Sequence, residues 1–309
     1  MAKEPFEELR EKMLKEAKAG IKLAYSSEEN SLIQSINAFL ETQKSYNIMY
    51  ERLSEWFGIY FPEVKVTNSK TLAELALVLN SKDIDYQKIE NAMEDKGKAK
   101  QVFEKAREMG REMGEEEHEA LQRFASMSKS TAATLDDLEG YIRNAAQRLM
   151  PNASYLTDEK IAAEMLSKAG SMERLASMPA STIQLLGAEK ALFKHIKFGS
   201  KPPKYGVLFK LQAVGAAPRD QRGRIARAYA TKVAIALKAD YYTKNFIAKD
   251  LKKSLDETIK KIKESPQRQA RPQRNESEAR GGFRRGKQGR GGFQKKRFKN
   301  NRNKTETWR

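Results

Sequence analysis

SLIQSINAFLETQKSYNIMYERLSEWFG, residues 31–58, places apolar side chains at Ile33, Ile36, Leu40, Ile48, Leu53, Trp56 and Phe57. Steps of three and four residues put them on one face of a helix, whereas a strand would alternate every second residue. Pro62, in the IYFPEV that follows, steers Tyr60 and Phe61 away from helical backbone and marks a turn.

The same periodicity recurs outward from this helix. A second helical tract opens near Thr71 (TLAELALVLN), and a third runs from about Asn91 through KAKQVFEKAREMGREMGEEEHEALQRF. The stretch Leu135–Met150 returns before Pro151. With few Val/Ile alternations and no Asn-Gly hairpin, the fold class is all-α. The middle is charged and poor in large aliphatics, and Gly110 and Gly114 each weaken a helix by about 1 kcal/mol. Residues 25–150 are therefore expected to form a long antiparallel arm, its middle a solvated hairpin rather than a globular core.

Compact helices with small residues follow. Thr157 or Asp158 is expected to cap a helix to Lys168 that Gly170 ends, and Ser181 to cap one entering GAEKALFKHIK, residues 187–197. GSKPPKYG, residues 199–206, is a loop. Asp220 is then expected to cap a helix from Gln221 to about Leu237, and Leu251–Lys263 forms a last, lysine-rich one.

Charge is distributed unevenly along the 309 residues. Residues 1–186 hold 25 basic and 31 acidic side chains, residues 187–265 hold 19 and 7, and residues 266–309 hold 15 and 3. A basic third behind an acidic two-thirds favours a polyanionic partner. The chain has no cysteine, which excludes disulfides, thiol catalysis and cysteine zinc sites. Without an apolar run near the ~20 residues of a membrane span, or a signal-peptide core in MAKEPFEELREKM, a soluble intracellular chain is expected.

Enzymatic chemistry finds little support. Residues 281–287 have the spacing of a phosphate-binding loop, but Gln288 stands where Ser or Thr must reach magnesium. Glu115, Glu116, Glu117 and His118 contain one Glu-x-x-His, whereas a carboxylate-bridged metal pair needs two. No serine has a recognisable His/Asp pattern. No catalytic residue, metal or cofactor is assigned.

In GAEKALFKHIK, Lys190, Lys194 and Lys197 fall within about 60° of one another at ~100° per residue, with Leu192 and Ile196 opposite and His195 apart. A glycine-opened helix end beside such a stripe suits a phosphate backbone. The helix after Asp220 repeats the arrangement, with Arg224, Arg227 and Lys238 on one side and Ile225, Tyr229, Val233, Ala236 and Leu237 on the other. Each helix is thus expected to bury one side and present a cationic one, with Lys201, Lys204 and Tyr205 on the loop between them. Beyond Pro266 aliphatic residues nearly vanish and two RGGF units appear. Residues 266–309 are expected to be a disordered RGG-type tail whose Arg280, Arg284 and Arg290 meet phosphates and whose Phe283 and Phe293 stack on bases.

SMPASTIQLLGAEKALFKH (177–195), KPPKYG (201–206) and QRGRIARAYATKVAIALKADYY (221–242) resemble the Nop domain of the Nop subunits of box C/D ribonucleoproteins, archaeal and eukaryotic nucleolar. The likeness spans roughly residues 25–262 and is most specific over 170–242. It implies an all-α chain: a short N-terminal helix (1–24), a self-associating coiled-coil arm (25–150), a compact Nop RNA-binding domain (151–265) and the tail. It also implies a non-catalytic assembly subunit that grips a kink-turn guide RNA together with a small ribosomal-like protein bound to it. Ribose 2′-O-methylation then belongs to a separate fibrillarin-like enzyme. Gly187, Ala188, Glu189, Lys190 and the ALFK at 191–194 would face RNA and the small protein, with Lys194, Lys197, Lys201, Lys204, Tyr205, Arg222, Arg224, Arg227 and Lys238 completing the surface.

Family members carry an N-terminal domain of over a hundred residues that docks the methyltransferase. Here the arm follows a short helix over residues 4–24, so weak docking is expected. A spliceosomal Nop-domain relative also lacks that domain, but its motif is less like GAEKALF. A coiled-coil scaffold with non-specific nucleic-acid adhesion is the other alternative. The expected location is cytoplasmic for an archaeal chain and nucleolar for a eukaryotic one.

Overall fold

The computed structural model describes residues 5–25, 27–80, 84–93, 96–108 and 110–264. The tail positions Arg280, Phe283, Arg284, Arg290 and Phe293 lie outside these residues, as does the expected tail as a whole. Among the described residues the regular elements are all helical, which bears out the all-α class.

After α1 (Pro5–Tyr25), the arm is framed by α2 (Glu28–Tyr60) and α6 (Glu115–Leu149). Ser27 opens α2 by accepting from the Glu29 N–H, and the helix stops at Tyr60, just ahead of Pro62. Leu32, Phe39, Tyr46, Leu53 and Tyr60, seven residues apart, form the buried seam with Ile36 and Phe57. Ile48, expected on that face, is 59% exposed. It lies two residues past Tyr46, about 200° around the helix. The two helices run antiparallel: Glu28 pairs with Arg148 at one end, while Leu53 and Leu121 share a core toward the other.

The expected solvated hairpin is instead a packed arm tip. α3 (Ser69–Val78), α4 (Tyr86–Ala92) and α5 (Lys96–Ala106) enclose a core with α2 and α6. Phe57, Phe61, Leu72, Leu75, Leu79, Ile89, Met113 and Leu121 are among its fully buried side chains. Much of the remaining buried surface is alanine (Ala73, Ala76, Ala99, Ala106, Ala125), which a search for large aliphatics passes over. The expected continuous third helix also breaks, between α5 and α6. Gly110 has φ +154° and approaches the Tyr60 carbonyl so closely that a Cβ would stand 1.8 Å from its oxygen.

The remaining α-helices are α7 (Pro151–Thr157), α8 (Glu159–Ala169), α9 (Met172–Ser177), α10 (Ala180–Leu185), α11 (Glu189–Phe198), α12 (Gln212–Gly215), α13 (Arg222–Lys238) and α14 (Ala248–Glu264), with a 3-10 turn at Val207–Lys210 and a π turn at Ala239–Thr243. Asp158 caps α8 and Gly170, at φ +88°, ends it, as expected. Two caps are corrected: Pro179 opens α10 while Ser181 lies exposed inside it, and Gln221, not Asp220, precedes α13 without a side-chain cap. α13 is central, with Ile225, Ala226, Tyr229, Ala230, Val233, Ala236 and Leu237 buried against α7, α9, α10 and α14. Its core is continuous with the base of the arm, for Leu32, Ile36, Ile142 and Ala145 join Leu166, Leu175 and Leu255 in one cluster. At about 1.5–3 kcal/mol per fully buried large side chain, this shared core fixes the base of the arm to the helices that follow.

Candidate nucleic-acid interface

The turn before α11 depends on one glycine. Gly187 has φ +86°, and a Cβ there would stand 2.6 Å from Val207 Cγ2. Its N–H donates to the Glu189 carboxylate at 2.6 Å, and the Ala188 N–H donates to the Leu185 carbonyl at 2.8 Å. Glu189, expected at the RNA, therefore has an oxygen engaged in holding the turn. Across the neck, Gly206 N–H donates to the Gln184 carbonyl at 2.9 Å and Val207 N–H to that of Leu186 at 2.8 Å. The Gln184 side chain donates back to the Lys204 carbonyl at 2.6 Å. Residues 187–205 thus leave the core and return through a neck tied by backbone bonds.

That neck holds α11 off the core. The helix was expected to bury Leu192 and Ile196, but none of its side chains is buried. Ile196 is 73% exposed, Phe193 63% and Phe198 68%, because among the described residues no other helix covers this apolar side. Lys190, Lys194 and Lys197 are exposed, and Lys197 Nζ lies 5.9 Å and 5.4 Å from the rings of Phe193 and Phe198. Ala188 opens α11 without a side-chain cap, and first-turn N–H groups in that arrangement favour an anion. At the other end, His195 Nδ1 engages the Ser200 carbonyl and Gly199, at φ +67°, donates its N–H to His195. His195 is placed as a tie between helix and loop.

The loop meets α13 at its start. The Lys204 stem packs over Gly223, where a Cβ would stand 3.6 Å from Lys204 Cδ. Tyr205 stacks on Phe209 at 4.8 Å and 11°, with the Arg222 guanidinium carbon 5.5 Å from the Phe209 ring centre. Arg222 Nε also donates to the Ala217 carbonyl at 2.7 Å. Tyr205, expected on the RNA-facing surface, is therefore half-buried with one ring face covered, while Phe209 is the more exposed ring. Arg224 is half-buried; Arg227 and Lys238 are exposed, and eleven residues apart they share one stripe of α13.

The structure thus brings the turn at 187–189, the α11 lysines, Lys201, Lys204, Tyr205 and Arg222 onto one excursion and the helix start beneath it. Lys238 is at the far end of α13. Gln184, Phe198 and Phe209 were not expected, and Phe193 only through the family resemblance; an amphipathic ten-residue helix reads the same whether its apolar side is buried or open.

Among the described residues no group of three or more His, Asp or Glu side chains is arranged to hold a metal. In the acidic run, the Glu117 carboxylate accepts from the Gly114 N–H at 3.0 Å and pairs with Arg111 at 2.8 Å. The Gly114 bond, with help from Arg111, holds that carboxyl below its ordinary range. His118 Nδ1 lies 3.3 Å from Met113 Sδ. No helix among the described residues is long and apolar enough to cross a membrane.

Residues 38–261 match the family model described as "Nop: snoRNA binding domain, fibrillarin". The chain is 32% identical over 265 residues to an uncharacterized NOP5 family protein of Methanocaldococcus jannaschii, covering 84% of this chain and 64% of that one. It is 34% identical over 234 residues to Nucleolar protein 56 of Bos taurus (74% and 39%) and over 241 residues to that of Dictyostelium discoideum (75% and 44%). The chain thus spans less than two thirds of these relatives' lengths. A crystal structure of a fibrillarin/Nop5p complex is similar at 22% identity and TM-score 0.48, covering 85% of this chain and 80% of that one.

Proposed function

The chain belongs to the family of the Nop snoRNA-binding domain, and from that premise we propose that the excursion carrying α11, with the start of α13, is the RNA-facing surface of a box C/D-like ribonucleoprotein subunit. It recognises a kink-turn RNA together with the small protein bound to it. One observation carries this reading: α11 presents three lysines and three large apolar side chains to solvent at once. Phosphates suit the lysines and the uncapped helix start, while Phe193, Ile196 and Phe198 suit a protein beside the RNA. A composite of RNA and small protein supplies both.

The chain's own contribution is binding, and 2′-O-methylation of a guided ribose is performed by a separate fibrillarin-like enzyme. The arm self-associates through residues 25–150, and the arm, the Nop domain (151–265) and the tail are its functional divisions. The particle is nucleolar in a eukaryote, as the names of the eukaryotic relatives support, and cytoplasmic in an archaeon.

Lys190→Ala with Lys194→Ala tests the assignment. If each lysine neutralises one phosphate, the slope of log K against log salt shrinks by about 0.7–0.9 per residue, and affinity for the kink-turn complex falls. Helicity by circular dichroism stays unchanged. An unaltered slope and affinity would remove the phosphate role, and equal affinity for an unrelated duplex would favour the non-specific scaffold.

A further inference from the structure

α13 runs into a π-helical turn, Ala239–Thr243, whose aromatic surface the function above leaves unused. Tyr155, Tyr242 and Phe246 are 52%, 63% and 52% exposed. Tyr155 meets Phe246 edge-on at 5.8 Å and 85°, and Tyr241 meets Tyr242 at 4.9 Å and 82°. An edge contact covers a face of one ring only, whereas the stacked pair Tyr205–Phe209 covers a face of each, so each edge-on pair keeps three of its four ring faces clear of the other ring.

Buried hydrogen bonds hold this surface from beneath. The Asp240 carboxylate accepts from the Asn152 N–H at 3.0 Å, the Asn152 side chain at 2.7 Å and the Ala153 N–H at 3.0 Å. The Asn152 side chain also donates to the Asn245 carbonyl at 2.8 Å and accepts from the Ile247 N–H at 2.7 Å. Asp240 is only 6% exposed, so its charge faces inward. Between residues 238 and 253 the exposed charges are Lys238, Lys244, Lys249 and Lys253 against Asp250. Tyr241 belongs to an acidic edge, where partial burial and the carboxylates of Glu173 and Glu29 push its phenol up.

We propose that Tyr155, Tyr242 and Phe246 form a stacking platform for single-stranded RNA, with Lys244 and Lys238 meeting its phosphates. Open aromatic faces beside cations are what sequence-tolerant single-strand binding needs. The proposal rests on the RNA-binding reading above and extends it along α13, whose 17 residues span about 25 Å. Arg227 and Lys238 share a stripe of that helix, so a strand leaving the α11 surface would follow it to the platform.

The test uses the full chain and a kink-turn RNA carrying its small protein, with and without a short single-stranded uridine extension. The extension should tighten wild-type binding about 5–100-fold, the worth of one or a few stacked bases. Tyr242→Ala with Phe246→Ala should lose that gain and bind the unextended probe as before. Tyr242→Leu with Phe246→Leu, which keeps apolar bulk without rings, should lose it equally. Lys244→Ala should lower the salt slope of the extended probe by about 0.7. An extension worth nothing to the wild type, or a gain the ring-free variants keep, overturns the platform, and the latter leaves the patch to a protein partner. If the wild type fails to bind the unextended probe, the kink-turn reading falls by itself. The platform is then judged on a uridine oligomer alone, where equal affinity of wild type and variants overturns it.

Discussion

Gly187 concentrates two demands in one position, a left-handed φ and the absence of a Cβ against Val207. Gly187→Ala should therefore cost about 1–3 kcal/mol in urea unfolding, the usual range for a side chain forced into that region. It should also weaken RNA assembly, because a turn pushed away from Val207 would carry the residue 187 N–H out of line with the Glu189 carboxylate. Unchanged stability would mean that Val207 and the neck give way freely. Asp240 makes a different demand. Burial pushes its carboxyl above the ordinary 3.8, more strongly than the bonds from Asn152 and Ala153 lower it. The folded protein then binds the proton more tightly than the unfolded chain, so this share of stability is full below 3.8 and is lost as pH rises through the folded value. Asp240→Asn should abolish that slope in unfolding curves collected across the acid range. At neutral pH it should cost about 1–3 kcal/mol, because its amide NH₂ would face a backbone N–H. A slope that survives the substitution would belong to another carboxyl.

At the scale of the helix, α11 and α14 have similar patterns and opposite fates. Both put apolar side chains on one face and lysines on the other, yet α14 buries Ala248, Leu255 and Ile259 while α11 buries nothing. Phe193→Ser with Phe198→Ser should thus leave the melting temperature nearly unchanged, since exposed substitutions stay within about 0.5 kcal/mol. Assembly with the kink-turn complex should weaken. Leu255→Ala should do the reverse, costing about 2–5 kcal/mol with the RNA surface intact. A large loss of stability in the α11 variant would mean that its apolar side is covered within the folded chain. The same contrast marks what the sequence discloses. Periodicity in residues 31–58 and 222–238 reveals which elements are helices, and Gly187 and Gly199 announce where α11 begins and ends. Whether an apolar face finds a partner depends on elements distant in sequence, here on the Gln184–Gly206 and Leu186–Val207 bonds of the neck.

Across the whole molecule, α2 and α6 run through two hydrophobic clusters, one at the arm tip and one at its base. The base was legible from the repeating leucines and isoleucines of α2 together with the small-residue helices after Pro151. The tip was not, for its helices α3 to α5 are short and close over alanine. Tyr205 shows the same limit on the RNA side, since nothing local reveals that Phe209 will cover one face of its ring. The cationic character of residues 187–265 could be read directly, because charge adds up without knowledge of contacts.

The closed tip also bears on the order in which the chain folds. Glu28 and Arg148, which meet at the base, are 120 residues apart in sequence. Closing that interval directly costs chain entropy before any contact offsets it, but once the tip has condensed, the two flanks need only zip together from a short connection. Leu75→Ala, at the tip, should therefore mainly slow refolding in stopped-flow measurements, whereas Leu255→Ala should mainly quicken unfolding. If both substitutions act on the unfolding limb alone, the base forms without waiting for the tip.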